Sequence, residues 1–197
     1  MDAADLAAWY APALAPGGAA WLEDRHRVPA TLRTVAMALG QAPRRVGTAP
    51  LPTPAPGWPR GWRVDQAVRV DLARALGAAD LDTLFATADA EELVALYQGL
   101  AYLTHASPAR AAEGVRSNLA TVFRAVALDN PYPAAHLDEG AFNQLVLKAV
   151  FTGSDLDRIH GLRPRWNPDL QRMLSDLVRE RTAAHRPIDP RVLTLLG

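Results

Sequence analysis

The chain contains no cysteine among its 197 residues. Disulfides, thiolate metal sites and cysteine nucleophiles are excluded together. Lysine is nearly absent too: Lys148 is the single one, so almost all positive charge is arginine. Neither sign of charge dominates, because Lys+Arg and Asp+Glu are both 21. Wholesale attraction to nucleic acid or to an anionic membrane is therefore not expected. No run reaches the roughly 20 apolar residues of a spanning helix, so direct membrane insertion is not expected either. The opening residues, "MDAADLAAWYAPALAPGG", put Asp2 and Asp5 before any basic residue, unlike the n-region of a signal peptide. A soluble, cytoplasmic protein is the expectation. Alternating β-branched and aromatic runs are also missing, which argues against sheet. The phosphate-loop patterns GxGxxG and GxxxxGK(S/T), the metal patterns HExxH and DDxxD, and the serine-nucleophile pattern GxSxG do not occur.

What is present is helical periodicity. Hydrophobic residues make up 49% of the chain, enough to build a sizeable core. "DAADLAAWYAPAL" and "AAWLEDRHRV" read as two short helices parted by Pro16-Gly17-Gly18. "PATLRTVAMALG" has Pro29 in its first turn and ends at Gly40. Later helices start at "DLDTLFATA", with Asp80 as N-cap, and at "DAEELVALYQGLAYL", with Asp89 and Glu92 at capping-box spacing. A helix over 109–129 and another through "YPAAHLDEGAFNQLVLKAVFTG" follow, with "SDLDRIHGLRPRWN" as a loop. Asn167-Pro168 starts the next helix and Asp189-Pro190 a last short one. The fold class is all-α, either a helical bundle or an irregular HEAT-like stack of antiparallel helix pairs. We expect one domain over 1–197: N-terminal helices to 42, a strap over 43–62, and a main body over 63–197.

The strap is "QAPRRVGTAPLPTPAPGWPRGW", with prolines at 43, 50, 52, 54, 56 and 59. Proline at this density favours extended polyproline geometry. A plain surface linker is the simpler alternative. Two tryptophans, Trp58 and Trp62, favour an ordered strap anchored against the body, because indoles gain most when buried.

The functional candidates are polar residues set in apolar helices. On 109–129, Ala112, Val115, Leu119, Val122 and Val126 follow 3-4 spacing and form one stripe, widened by Phe123. Glu113 and Arg116 sit at i, i+3 on its flank and Asn118 lies nearby. Asn143, Gln144 and Lys148 interrupt "AFNQLVLKAV" in the same way. In an antiparallel hairpin Asn143 or Gln144 could meet Arg116 or Asn118. The residues then form either a buried network that sets helix register or the lining of a ligand pocket. Both versions expect Glu113 and Arg116 to be partly or wholly buried, with Arg116 bonded outside its own helix, since a buried guanidinium has five donors to satisfy.

Other chemistry is thinner. The five histidines form no ligand pair, and Asp155, Asp157 and His160 are the one local cluster, better explained by capping and surface charge. Lys148 could be a desolvated, reactive amine, but a lysine stem more often lies on apolar surface with its ammonium in water. Arg158, Arg163, Arg165, Arg172, Arg179, Arg181 and Arg186 are interleaved with acids, which fits a salt-bridged face better than a nucleic-acid groove. No cofactor and no metal are expected.

The ordered segments "APRRVG", "RAAEGVRSN", "VFRAVALDNPYP", "FNQLVLKAVFTGSDLDRI" and "NPDLQRMLSDLVRERTAAHRPI" span residues 42–47 and 110–188. In them the chain resembles the EboA family of small bacterial proteins. EboA-like proteins are encoded beside a membrane prenyltransferase, isomerase-like and dehydroquinate-synthase-like enzymes and a metal-dependent hydrolase. The resemblance therefore implies assembly or export of a secondary metabolite, and it carries no catalytic residues over. Three readings follow. The first is a non-catalytic accessory protein that binds a small-molecule metabolite or other proteins of its pathway. The second is a cofactor-free enzyme with a pocket between helices 109–129 and 136–152. The third, less favoured, is a nucleic-acid-binding helical-repeat protein.

Overall fold

The computed structural model describes residues 3–53 and 60–197. Among the described residues the chain forms twelve α-helices, three short 3-10 helices and no strand. Among the described residues no helix is long and apolar enough to cross a membrane. Two compact units divide the chain, Met1–Arg110 and Ala111–Gly197.

The first unit holds α1 (Ala3–Tyr10), α2 (Gly18–Arg27), α3 (Leu32–Val46), α4 (Val64–Ala73), α5 (Ala78–Thr87) and α6 (Ala90–Gln98). Its centre is α4, which packs against α1, α3 and α6. Nine of its residues are buried, including Asp65, Gln66 and Arg69. Buried charges must find partners or the fold loses several kcal/mol (roughly) for each ion. Asp65 accepts from Arg63 Nε at 2.9 Å and from Arg69 Nη1 at 3.2 Å.

Arg69 has a further role. Pro43 lies inside α3 and has no N–H to offer the Leu39 carbonyl one turn earlier. Arg69 Nε donates to that carbonyl at 3.1 Å. This satisfied carbonyl lets α3 run on to Val46, past the Gly40 end expected from the sequence. Val35, Ala38, Leu39, Ala42 and Val46 continue its buried stripe. The strap correspondingly begins at Gly47, not at Pro43.

The strap is tied down at both ends. Leu51 N–H donates to the Trp62 carbonyl and Val64 N–H to the Ala49 carbonyl, an antiparallel bridge around Pro50 and Arg63. Trp62 is 3% exposed. It lies tilted on Trp9 at 5.8 Å and edge-on to Tyr102 at 5.9 Å. Trp9 Nε1 donates to the Pro52 carbonyl at 2.8 Å. Trp62 is thus the expected anchor; Trp58 lies outside the described residues.

Local capping follows the sequence in most places. Asp89 and Glu92 exchange backbone bonds as a capping box, as expected. Thr31 and Thr34 form another at the start of α3, so Pro29 lies before that helix and not in its first turn. Gly77, not Asp80, stands at the N-cap of α5, with Asp80 inside the first turn.

The second unit continues α7 (Pro108–Arg116) and adds α8 (Ala120–Ala127), α9 (Pro131–His136), α10 (Glu139–Phe151), α11 (Pro168–Ala183) and α12 (Pro190–Leu196). Here α10 packs on α8 and α11, and α11 on α12. Phe123, Phe142, Leu145, Val146, Ala149, Leu170 and Leu174 form the core, each at most 1% exposed. Each large side chain among them contributes about 1.5–3 kcal/mol by leaving water. Two expected helices are each split. The 109–129 helix breaks at Ser117–Leu119 into α7 and α8, and Leu119 is 47% exposed instead of buried. The helix through 132–152 breaks at Leu137-Asp138, where the Asp138 carboxylate caps α10 by accepting from Ala141 N–H at 2.7 Å.

Candidate functional site

The break between α7 and α8 is made by a side chain from α10. Lys148 Nζ donates to the Val115 carbonyl at 2.6 Å and to the Ser117 carbonyl at 2.7 Å. In an uninterrupted helix those carbonyls would accept from the N–H groups of residues 119 and 121. Leu119 N–H instead turns to Ser117 Oγ at 3.2 Å. A cation at the C-terminus of α7 also meets the negative end of its dipole. The ammonium lies 4.8 Å from the centre of the Phe123 ring, a cation–π contact.

Burial pushes the Lys148 ammonium below the ordinary lysine value. Two carbonyl acceptors and a ring face work the other way and favour the charge. Two of its three N–H donors are committed, so Lys148 serves chiefly as a structural cation that leaves one donor over. A reactive amine would have to give up both carbonyls.

Beside this cation lies an open groove of about 350 Å³ lined by Ala112, Val115 and Arg116 of α7 and by Ala141, Gln144 and Lys148 of α10. Its walls, α7 and α10, are shorter than the helices 109–129 and 136–152 read from the sequence. Three of the six expected site residues line it: Arg116, Gln144 and Lys148. Gln144 and Arg116 are exposed at its edge. Among the described residues neither the Arg116 nor the Gln144 side chain makes a hydrogen bond or ion pair.

The buried network expected around Arg116 is therefore not present. Glu113, Arg116 and Asn118 are all exposed. Glu113 and Arg116 lie on the side of α7 opposite its buried residues Ala111, Gly114 and Val115, and Asn118 lies in the break between α7 and α8. Asp129 binds the Arg158 guanidinium at 2.6 and 2.8 Å, and Asn130 caps α9 through Tyr132 N–H at 3.0 Å.

Asn143 is buried, as a network residue should be, but its partner is Asn167. The two amides exchange hydrogen bonds at 3.0 and 3.2 Å. Asn167 also caps α11 by accepting from Leu170 N–H at 2.9 Å. Asn143 thus fixes the start of α11 and does not line the groove.

Of the seven arginines singled out in the C-terminal third, five (Arg158, Arg165, Arg172, Arg179 and Arg181) bind acids or backbone carbonyls. Arg165 donates to the carbonyls of Pro133 and Ala134 at 3.1 Å and stacks 4.3 Å over Phe142. Arg172 pairs with Asp169, Arg179 with Asp176, and Arg191 with Asp155 and Asp189. Among the described residues no three His, Asp or Glu side chains converge to hold a metal. His160 is exposed, and Asp155 caps the 3-10 turn Leu156–Arg158.

The first unit carries a cluster that sequence spacing could not have found. Asp71 Oδ2 accepts from the Tyr10 hydroxyl at 2.7 Å and faces His26 Nε2 at 3.3 Å. Burial first, and then the Asp71 charge, push the Tyr10 phenol well above its usual value. The adjoining cavity, lined in part by Val35, Ala38 and Leu72, is about 90 Å³. At about 30 Å³ per water that is room for a few waters, too little for a metabolite of ordinary size.

A family model described as metabolite traffic protein EboA matches residues 4–197. No curated protein matches the chain, and no solved structure does.

Proposed function

The chain belongs to the EboA family, and from that premise we propose that it is a non-catalytic accessory protein that binds a small metabolite in the α7–α10 groove. The pathway we assign it to assembles or exports a secondary metabolite. The observation that carries the reading is the groove itself. At about 350 Å³ it lies in the size range of small-molecule sites. Its rim offers two unengaged polar groups, Arg116 and Gln144, above an apolar floor of Ala112, Val115 and Ala141.

Binding is favoured over turnover by the kinds of residue present. The lining contains no carboxylate, imidazole, hydroxyl or thiol to move a proton or attack a carbon. Its one amine is held by two backbone carbonyls.

Untargeted metabolite capture tests this, comparing the wild-type chain with Arg116→Ala. Arg116 is exposed and unbonded, so its loss should change stability by no more than about 0.5 kcal/mol. The expected result is a metabolite retained by wild type and lost from a variant that melts normally. Equal retention by both, or nothing retained by wild type, would count against the groove as the site.

A further inference from the structure

We infer that the ligand of the α7–α10 groove is an amphiphilic anion, a short apolar body ending in a carboxylate or phosphate. This rests on the proposal that the groove binds a metabolite, and adds its chemical class.

The lining is charged with one sign only. Arg116 and Lys148 are both cations, and among the described residues no carboxylate lines the groove. Glu113 stands one turn before Arg116 on α7 but is not part of the lining. The two cations differ in what they have left to give. Lys148 has spent two donors on Val115 and Ser117 and keeps one. Arg116 has none of its five donors engaged among the described residues, and its planar fork suits carboxylate or phosphate oxygens. The Gln144 amide stands on the facing helix and can donate to the same head group. A neutral or cationic head would leave the Arg116 guanidinium without a partner, and a cationic one would add repulsion from Lys148.

The body of the ligand is defined by the rest of the lining. Ala112, Val115 and Ala141 are small and apolar, so they offer surface to a hydrocarbon chain or ring without filling the space it needs. The head group is set by α7 at Arg116 and by α10 at Gln144 and Lys148. These residues lie on rigid helices that Lys148 itself links, so the site is held in place before the ligand arrives.

The test uses the full chain grown with carbon-13 lysine. Lys148 is the only lysine, so one side-chain signal reports directly on the groove. Four monomeric probes share an eight-carbon body: octanoate, octyl phosphate, octylamine and octanol. At least one of the anions should shift the Lys148 signal and bind about tenfold more tightly than octylamine and octanol. Arg116→Glu, with an unchanged melting curve, should abolish that preference and move it towards octylamine. Octanol or octylamine binding as tightly as both anions would overturn the anion inference while leaving the groove a ligand site. Failure of all four probes to move the Lys148 signal would overturn both. Anion preference that survives Arg116→Glu would place the anion elsewhere and overturn the inference.

Discussion

Lys148→Met isolates what the only ammonium in the chain contributes. Methionine keeps an unbranched stem against Phe123 and removes the charge and the donors. Two backbone carbonyls, Val115 and Ser117, then lose donors now at 2.6 and 2.7 Å. A hydrogen bond to a charged group contributes about 1.5–3 kcal/mol where water is excluded. Lys148 is only half-buried, so water can replace part of this. Solvent screening therefore cuts the two bonds together to roughly 2–3 kcal/mol. The lost contact with the Phe123 face adds about 0.5–1 kcal/mol. Against this stands relief of the ammonium's desolvation, the same effect that lowers its pKa. The net expectation is a loss of roughly 2–3 kcal/mol. Urea unfolding followed by fluorescence reads the total. Amide hydrogen exchange places it, since Ser117 N–H and the end of α7 should lose protection before the core of α10. Lys148→Arg should recover part of the loss, because a guanidinium can also reach two carbonyls. A Lys148→Met protein as stable as wild type to within about 0.5 kcal/mol, with unchanged exchange at 115–119, would refute the idea that this ammonium holds the break.

Three further outcomes follow from other parts of the structure. Arg69→Met should cost about 3–5 kcal/mol in chemical denaturation, because it leaves the fully buried Asp65 with Arg63 alone and the Leu39 carbonyl without a donor. Adding Pro43→Ala to that variant supplies an N–H for the same carbonyl, so a double-mutant cycle should show about 1 kcal/mol of recovery, and zero coupling would contradict the account. Gly99→Ala should destabilise by roughly 1–3 kcal/mol, since its Cβ would stand 2.3 Å from Val70 Cγ2 inside the core; Val70→Ala in the same chain should relieve most of the clash. Alkaline titration should unfold the protein early. The Tyr10, Tyr102 and Tyr132 phenols are all raised, each by burial, so the folded state favours their neutral forms. That stabilisation is complete below the ordinary tyrosine value of about 10 and is lost as pH climbs above it. Phenolate absorbance should therefore rise together with loss of helix, and fully ionised tyrosines in an intact fold would contradict the assignment.

Much of this protein is determined within single segments of its sequence. Absence of strand patterns, 3-4 apolar spacing and the start signals at Asp89, Asn167 and Asp189 dictate an all-α chain, because helical hydrogen bonds and caps join residues at most a few positions apart. The motif order over 110–188 was enough to indicate the family.

Only the tertiary structure decided where those helices break and which polar residues face the groove. The 3-4 stripe of residues 112–126 runs unbroken in the sequence, yet Lys148, 33 residues beyond Val115, takes the carbonyls that would have continued the helix. Packing also chose Ala111, Gly114 and Val115 as the buried face of α7, which leaves Glu113 and Arg116 exposed. In the same way Asn143 meets Asn167 instead of Arg116, and Arg69 lets a helix run through Pro43. In each case a side chain from a distant segment satisfies a backbone or amide group that local spacing leaves open. A hydrogen bond between distant segments depends on how the helices pack, and spacing along the chain carries no record of it.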